Sequence, residues 1–190
     1  MIVYLDMDEV LSDFILSACE AHNVDKELMD SNRKVGDWSI LPALAKSLNI
    51  PETKFTNEDF WYPINKQGIE FWANMAETDF FSTIMVSLYK LNIDPFILSS
   101  PTNKIDCQIG KAIWLKERFH ADYNRFIFTS YKNNLAKNGT ILIDDNENNC
   151  LNFTKAGGKS ILFPSLGNRL YKIAFSPWEY VESLLKELLR

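Results

Sequence analysis

Four short groups of polar residues carry side chains that suit the chemistry of a phosphate ester. They offer carboxylates, hydroxyls and an ammonium group, and none of them contains His or Cys. Oxygen ligands alone point to a hard cation such as Mg²⁺, which binds through a few carboxylates, water and substrate phosphate. Hydroxyl and ammonium groups suit the oxygens of a phosphate dianion. The groups are Asp6-Met7-Asp8, Ser99-Ser100, Thr129-Ser130 with Lys132, and Asp144-Asp145.

The carboxylates in these groups could also supply a nucleophile. A carboxylate that attacks phosphorus forms an aspartyl-phosphate, which divides one difficult displacement into two easier ones. Carboxylates packed together repel one another, and the pKa values of some of them rise unless a cation lies among them. The residue types therefore predict phosphoryl chemistry assisted by a divalent cation.

The elements that must bring these groups together are five short apolar runs, which predict strands buried on both faces. Helical patterns lie between the later runs, for example from Lys104 to Phe119. Strands and helices in alternation predict a parallel sheet with right-handed crossovers. Ligands bind at the carboxyl ends of such strands, where the four polar groups would meet. The runs are Ile2 to Leu5, Phe96 to Leu98, Phe126 to Phe128, Ile141 to Ile143, and Ser160 to Phe163.

The C-terminal stretch has the clearest helical pattern. Ser176-Pro177-Trp178-Glu179 predicts a capping box with proline at the first helical position. An apolar stripe of Val181 and four leucines follows, which predicts a helix with one packed face.

Residues 14 to 79 interrupt the alternation of strand and helix. This stretch holds three of the five tryptophans and several turn signals, and it contains no convincing strand. It predicts a mostly helical insertion after the first strand.

Composition narrows the classes of partner. The net charge is −5, from 20 basic and 25 acidic residues, and a basic run is missing, so we expect no polymeric nucleic acid as a partner. No run is long and apolar enough to predict a membrane span, and residues 1 to 5 are too short for a signal peptide. Three scattered cysteines favour reduced thiols. We therefore expect a cytoplasmic location.

The order DxD, Ser, Lys and DD along alternating strands resembles the four-motif signature of the haloacid dehalogenase (HAD) superfamily. The resemblance implies an α/β fold with a Rossmann-like doubly wound parallel sheet and a small helical cap after the first strand. It implies a core of residues 1–13 and 80–190 and a cap of residues 14–79. In chemistry, it implies Asp6 as the nucleophile. Asp8 would protonate the leaving oxygen and then activate water.

The same resemblance implies how phosphate and metal are held. The hydroxyls of Ser99 and Ser100 and the ammonium group of Lys132 would bind the phosphate. Lys137 lies close to Lys132 in the sequence and is the other lysine that could take this role. The implied ligands of Mg²⁺ are the Asp6 carboxylate, the Asp8 backbone carbonyl, and one or both of Asp144 and Asp145.

A narrower resemblance is to the 5'(3')-deoxyribonucleotidases. It implies stacking of a nucleobase on Phe14, Phe60, Trp61 and Trp72, although spacing alone would make these rings the core of a helical module. Three positions depart from the family pattern: Glu9 stands where Gly is usual, Ser130 where Arg is frequent, and Lys104 is shifted by one place. The segments that carry the resemblance are Asp6 to Phe14, Phe60-Trp61, Trp72, Asp79 to Phe81, Ile97 to Pro101, Lys111 to Trp114, and Leu142 to Asp145.

The sequence thus predicts a Mg²⁺-dependent phosphomonoesterase of the 5'-nucleotidase type that hydrolyses (deoxy)nucleoside monophosphates. A sugar phosphate or another small phosphomonoester is the alternative substrate, and transfer to an acceptor other than water stays open. A phospho-accepting receiver domain is a distant alternative. In a receiver, the paired acids follow the first strand and the phosphorylated Asp lies in mid-chain, whereas here the DxD group comes first and the paired acids Asp144-Asp145 come late. A catalytically inactive binding protein ranks lower still. Whether the chain forms a homodimer is left open.

Overall fold

The computed structural model describes all 190 residues and contains one parallel sheet. The sheet has the order β3-β2-β1-β4-β5, with these bounds: β1 (Ile2–Leu5), β2 (Phe96–Ser99), β3 (Phe126–Phe128), β4 (Thr140–Asp144) and β5 (Lys159–Leu162). All four neighbouring pairs are parallel. The five apolar runs in the sequence match these strands to within one residue at each end. The predicted α/β fold class is confirmed.

The sheet is buried because helices flank it. β4 is buried at every position, and β1 from Val3 onward. Tyr4, Leu98 and Leu142 from three adjacent strands pack with Phe153 of the helix after β4, which is α8 (Glu147–Lys155). Full burial of an apolar side chain of this size contributes about 1.5–3 kcal/mol, so this cluster helps to hold the three central strands and the helix together.

The chain divides into two compact units. The sheet unit comprises Met1–Ser12, Glu77–Pro101 and Asn124–Arg190, and the helical unit comprises Asp13–Ala76 and Thr102–Tyr123. The sheet unit adds helices α6 (Phe81–Lys90), α8 (Glu147–Lys155) and α9 (Pro177–Leu188). The helical unit contains α1 (Phe14–Ala21), α2 (Lys26–Asn32), α3 (Leu41–Ser47), α4 (Asn57–Gln67), α5 (Ile69–Ala73) and α7 (Ile105–Arg118).

The helical unit includes α7 because α5 approaches it closely. At Gly110 in α7, a Cβ atom would lie 2.5 Å from Trp72 Cβ and 2.6 Å from the Ile69 carbonyl oxygen. Only glycine fits at this crossing. The partition into a core of residues 1–13 and 80–190 and a cap of residues 14–79 stays a prediction.

The predicted capping box at the start of α9 is wrong. The helix begins at Pro177 as expected, but the side chain of Ser176 makes no capping hydrogen bond. The φ and ψ of Ser176 are −139° and 54°, which differs from the extended backbone that usually directs a capping side chain at the helix. Trp178, Val181 and Leu185 are buried, so packing positions this helix.

None of the helices combines the length and the apolar character that crossing a bilayer requires.

Candidate active site

The order of the strands brings the first and fourth polar groups side by side. β1 is central, and the chain continues to β2 and β3 on one side and to β4 and β5 on the other. Ligands bind in open α/β sheets at such a reversal, beyond the carboxyl ends of the strands. Leu5 pairs with Ile143, and the Asp6 N–H donates to the Ile143 carbonyl at 2.9 Å. Asp6 therefore lies next to the end of β4.

Three carboxylates and one ammonium group form the centre of the site. Asp6, Asp144 and Asp145 are buried, and each offers an oxygen within 4.8 Å of the others. The Nζ of Lys132 lies 2.7 Å from Asp6 Oδ1 and 2.6 Å from Asp144 Oδ2. Lys132 is only 2% exposed, whereas Lys137 is on the surface. Lys132 is therefore the lysine that the fold brings to these acids.

Burial and mutual repulsion disfavour the ionised carboxylates. Burial raises the pKa of Asp6 to about 7, and the charge of Asp144 adds to the rise. Burial, followed by the charges of Asp6 and Asp144, holds the pKa of Asp145 well above its usual range. Burial opposes the charged form of Lys132, but the combined attraction of Asp6 and Asp144 outweighs it and raises its pKa. The single positive charge of Lys132 is too small to neutralise Asp6, Asp144 and Asp145 when all three are ionised.

Asp8 lies on a tight turn that follows β1. The N–H groups of Val10, Leu11 and Ser12 all point to the Met7 carbonyl, and the Ser12 hydroxyl donates to Asp8 Oδ1 at 3.3 Å. Glu9 has a φ of 60°, in the left-handed region that glycine adopts most readily. The turn thus keeps a glycine-like backbone although its residue is Glu. The Asp8 side chain is half-buried.

Asp144 is held by donors that sequence reasoning missed. Asn149 Nδ2 donates to both carboxylate oxygens at 3.1 Å, and the Asn146 N–H donates to Oδ1 at 2.9 Å. Asparagine is common in turns, so the Asn-rich run 146–149 gives no sequence signal for this contact. Its contact with Asp144 arises because α8 starts directly beyond β4.

The predicted phosphate-binding hydroxyls lie at the end of the neighbouring strand. Ser99 is the last residue of β2 and is fully buried, and its carbonyl accepts the Thr129 N–H at 3.0 Å. Ser100 is half-buried, and its hydroxyl contacts the Thr129 carbonyl at 3.4 Å. Because β2 lies beside β1, both residues follow a strand that adjoins the one before Asp6.

The predicted base-binding aromatics form one cluster within the helical unit. Phe14 stacks on Trp72 with ring centroids 5.8 Å apart, and Trp61 lies 6.1 Å from Phe14 and 6.4 Å from Trp72. Phe60 meets Trp61 edge-on at 4.9 Å. Phe60 and Trp72 are 3% and 4% exposed, so they pack the unit, whereas Phe14 and Trp61 are half-buried. The role of the four rings in binding stays a prediction.

The donor set fits a hard divalent cation. The cluster consists of carboxylate oxygens, and its negative charge exceeds the single positive charge of Lys132. No hydrogen bond reaches the Asp145 carboxylate, in contrast to that of Asp144. Buried oxygens with uncompensated charge are the ligands that Mg²⁺ takes in proteins. Asp6, Asp144 and Asp145 could hold such an ion.

Solved structures identify the fold. A predicted phosphatase from Clostridium acetobutylicum matches with a TM-score of 0.53 and 16% identity, over 98% of this chain and 97% of that one. A haloacid dehalogenase-like hydrolase from Bacteroides fragilis matches with a TM-score of 0.51 and 15% identity, over 92% of each chain. The chain has the HAD fold.

A further structure with this fold is the HAD-hydrolase YfnB from Bacillus subtilis bound to magnesium. It matches with a TM-score of 0.50 and 13% identity, over 85% of each chain. No protein-family model matches the sequence, and no curated protein matches it either. At these identities the similarity extends to the HAD fold alone.

Proposed function

We propose that the chain is a Mg²⁺-dependent phosphomonoesterase in which Asp6 is the nucleophile. The observation that carries the proposal is the buried cluster of Asp6, Asp144, Asp145 and Lys132 beyond the reversal in strand order. A carboxylate nucleophile needs a cationic partner that holds it in place. Lys132 supplies one, because its ammonium group contacts Asp6 Oδ1 directly.

The reaction takes place in two displacements. In the first, an Asp6 oxygen forms a bond to phosphorus, the ester P–O bond breaks, and Asp8 gives a proton to the leaving oxygen. In the second, a water oxygen attacks phosphorus, Asp8 takes the proton from that water, and the bond between Asp6 and phosphorus breaks. The half-buried Asp8 stands two residues from Asp6 on the turn that Ser12 closes.

Lys132 and the hydroxyls of Ser99 and Ser100 would hold the phosphate oxygens. Mg²⁺ would be held by Asp6, Asp144, Asp145 and the Asp8 backbone carbonyl. When bound, it supplies charge neutralisation at the phosphate oxygens.

We propose (deoxy)nucleoside monophosphates as substrates and a relation to the 5'(3')-deoxyribonucleotidases. The support is the resemblance of the motif segments together with Phe14 and Trp61, two aromatic residues of the helical unit that are only half-buried. Stacking on aromatic faces is how proteins bind bases without sequence readout. The cytoplasm, where nucleotide pools lie, is the proposed location.

The test is phosphate release from a panel of nucleotides, sugar phosphates and an aryl phosphate, each with Mg²⁺ and with EDTA. We expect Mg²⁺-dependent release that is fastest on nucleotides. Asp6→Asn should abolish release while the protein stays folded, and Asp122→Asn, at an exposed position, should leave it unchanged. A folded Asp6→Asn protein with full activity would refute the nucleophile. Phosphate release from sugar phosphates alone would refute the proposal that nucleoside monophosphates are the substrates.

A further inference from the structure

Asn168 is a buried polar residue in the segment between β5 and α9. It is 1% exposed, and its side chain uses both of its functional atoms. Nδ2 donates to the Asp145 carbonyl at 2.9 Å and to the Phe163 carbonyl at 2.8 Å. Oδ1 accepts the Leu170 N–H at 2.9 Å. Asn168 therefore ties its own loop to the ends of two strands.

These two carbonyls lie just beyond the last hydrogen bond between β4 and β5. That bond joins the Phe163 N–H to the Asp144 carbonyl at 2.9 Å. Farther along, the two strands turn into loops, and the Asp145 and Phe163 carbonyls both need donors. The two N–H groups of the Asn168 amide reach both carbonyls, with the Ser165 hydroxyl as a third and longer acceptor at 3.1 Å. It continues the connection between the strands at the point where Asp145 begins the turn.

Asp145 depends on this connection more than Asp144 does. The Asp144 carboxylate accepts hydrogen bonds from Lys132, Asn146 and Asn149. No hydrogen bond reaches the Asp145 carboxylate, so its direction follows from its backbone. The hydrogen bond from Asn168 is what anchors that backbone at the carbonyl.

We propose that Asn168 is a positioning residue that aims Asp145 at the metal, an inference that rests on the proposed function. Arg169 attaches the same loop at a second point, because its N–H and guanidinium group each contact Glu147 at 2.7 Å. Glu147 opens α8, two residues after Asp145. The loop is thus joined to the Asp145 turn on both sides. Groups that orient metal ligands typically change metal affinity about 10–100-fold when they are lost.

The experiment measures Mg²⁺ binding without turnover. Binding to the folded state raises the melting temperature in proportion to the logarithm of [Mg²⁺]/Kd, so thermal scans over a Mg²⁺ series give Kd. We expect Asn168→Ala to raise the Mg²⁺ Kd about 10–100-fold. We also expect the Mg²⁺ concentration for half-maximal phosphate release to rise by the same factor, with kcat recovered at saturating Mg²⁺.

Thr140→Val is the matched control. Thr140 is 1% exposed at the other end of β4, and its hydroxyl makes two hydrogen bonds with the backbone of Lys137. This variant loses buried hydrogen bonds on the same strand, so it should lower the melting temperature and leave the Mg²⁺ Kd within about twofold. Should Asn168→Ala fail to fold, Asn168→Ser keeps one donor and gives the same comparison.

An unchanged Mg²⁺ Kd in a folded Asn168 variant would overturn the inference, and so would equal changes in that variant and in Thr140→Val. A wild-type protein that binds no Mg²⁺ would also overturn it. A wild-type protein that binds Mg²⁺ but releases no phosphate would refute the proposed function alone. In that case the comparison of Kd values still supports or overturns the role of Asn168.

Discussion

Removing divalent cations should make the protein less stable as the pH rises from 4 to 7. The cause is Asp6, whose pKa is raised from 3.8 to about 7 by burial and by Asp144. In this pH range the folded protein keeps a proton on Asp6 that the unfolded chain has lost. Stability from this group is therefore complete below pH 4 and is lost as the pH rises through 7.

The size of the loss follows from the shift. A change of about 3 pKa units corresponds to about 4 kcal/mol at 1.36 kcal/mol per unit. For a chain of this length, each kcal/mol changes the melting temperature by about 2–4 °C, so the loss is roughly 8–16 °C. Asp145 acts in the same direction, because its pKa is also raised. Mg²⁺ should reverse the loss, since it favours the ionised carboxylates.

The assay is thermal unfolding between pH 4 and 8 in EDTA and in Mg²⁺, for the wild type and for Asp6→Asn. The variant keeps the shape of the side chain but cannot ionise, so the difference between the two proteins isolates this residue and its coupling to its neighbours. We expect the wild type to lose stability relative to the variant as the pH rises in EDTA. Parallel curves for the two proteins in EDTA would refute the reasoning.

Three further predictions concern single side chains. Lys132→Met should lower the free energy of unfolding by about 3–5 kcal/mol in EDTA at pH 8, as measured in thermal scans, because it leaves buried carboxylates without their cation. The control Lys137→Met, at an exposed position, should stay within about 0.5 kcal/mol of the wild type. Gly110→Ala should lower the free energy of unfolding by about 1–3 kcal/mol in the same scans, because its Cβ would overlap Trp72 and the Ile69 backbone. A fall in melting temperature of less than about 1 °C would contradict the close approach of α5 and α7. Trp61→Ala should lower kcat/KM for nucleotides far more than for an aryl phosphate, and equal losses on both would count against base stacking.

The sheet could be predicted because strands buried on both faces leave a simple trace. Each apolar run ends within one residue of the end of its strand, and polar residues directly follow four of the five runs, as Asp6 follows Leu5 and Asp144 follows Ile143. Those polar residues lie along one edge of the sheet as a consequence of parallel order. The grouping of Asp6 with Asp144 therefore followed from pattern alone, although its catalytic role stays a prediction.

The supporting asparagines could not be predicted, because their contacts depend on how loops return to the site. Asn149 reads as one of several turn-favouring residues until α8 is placed beyond β4. Asn168 lies in a segment without periodic pattern, and its partners are the carbonyls of Asp145 and Phe163. Backbone carbonyls are present at every position, so sequence carries no signal for which ones such a residue will reach.

The capping box at Ser176 shows the opposite failure. The residue types matched the motif, but a cap also requires backbone angles that place the side chain over the helix end. At Ser176 these angles are −139° and 54°, and no capping hydrogen bond forms. A short motif therefore predicts the residue at which α9 begins, but it does not predict which groups accept hydrogen bonds from the first N–H groups of the helix.

The pairing of β1 with β4 sets the time at which the site can exist. β1 begins at residue 2, and its partner strand begins at residue 140, so the central strand leaves the ribosome long before one of its two neighbours. Contacts between such distant segments close large loops and form slowly. Asp6 meets Asp144 only after this pairing, and Lys132 joins them from the segment just before β4. A growing chain therefore carries Asp6 without these partners until β4 has been made and has paired with β1.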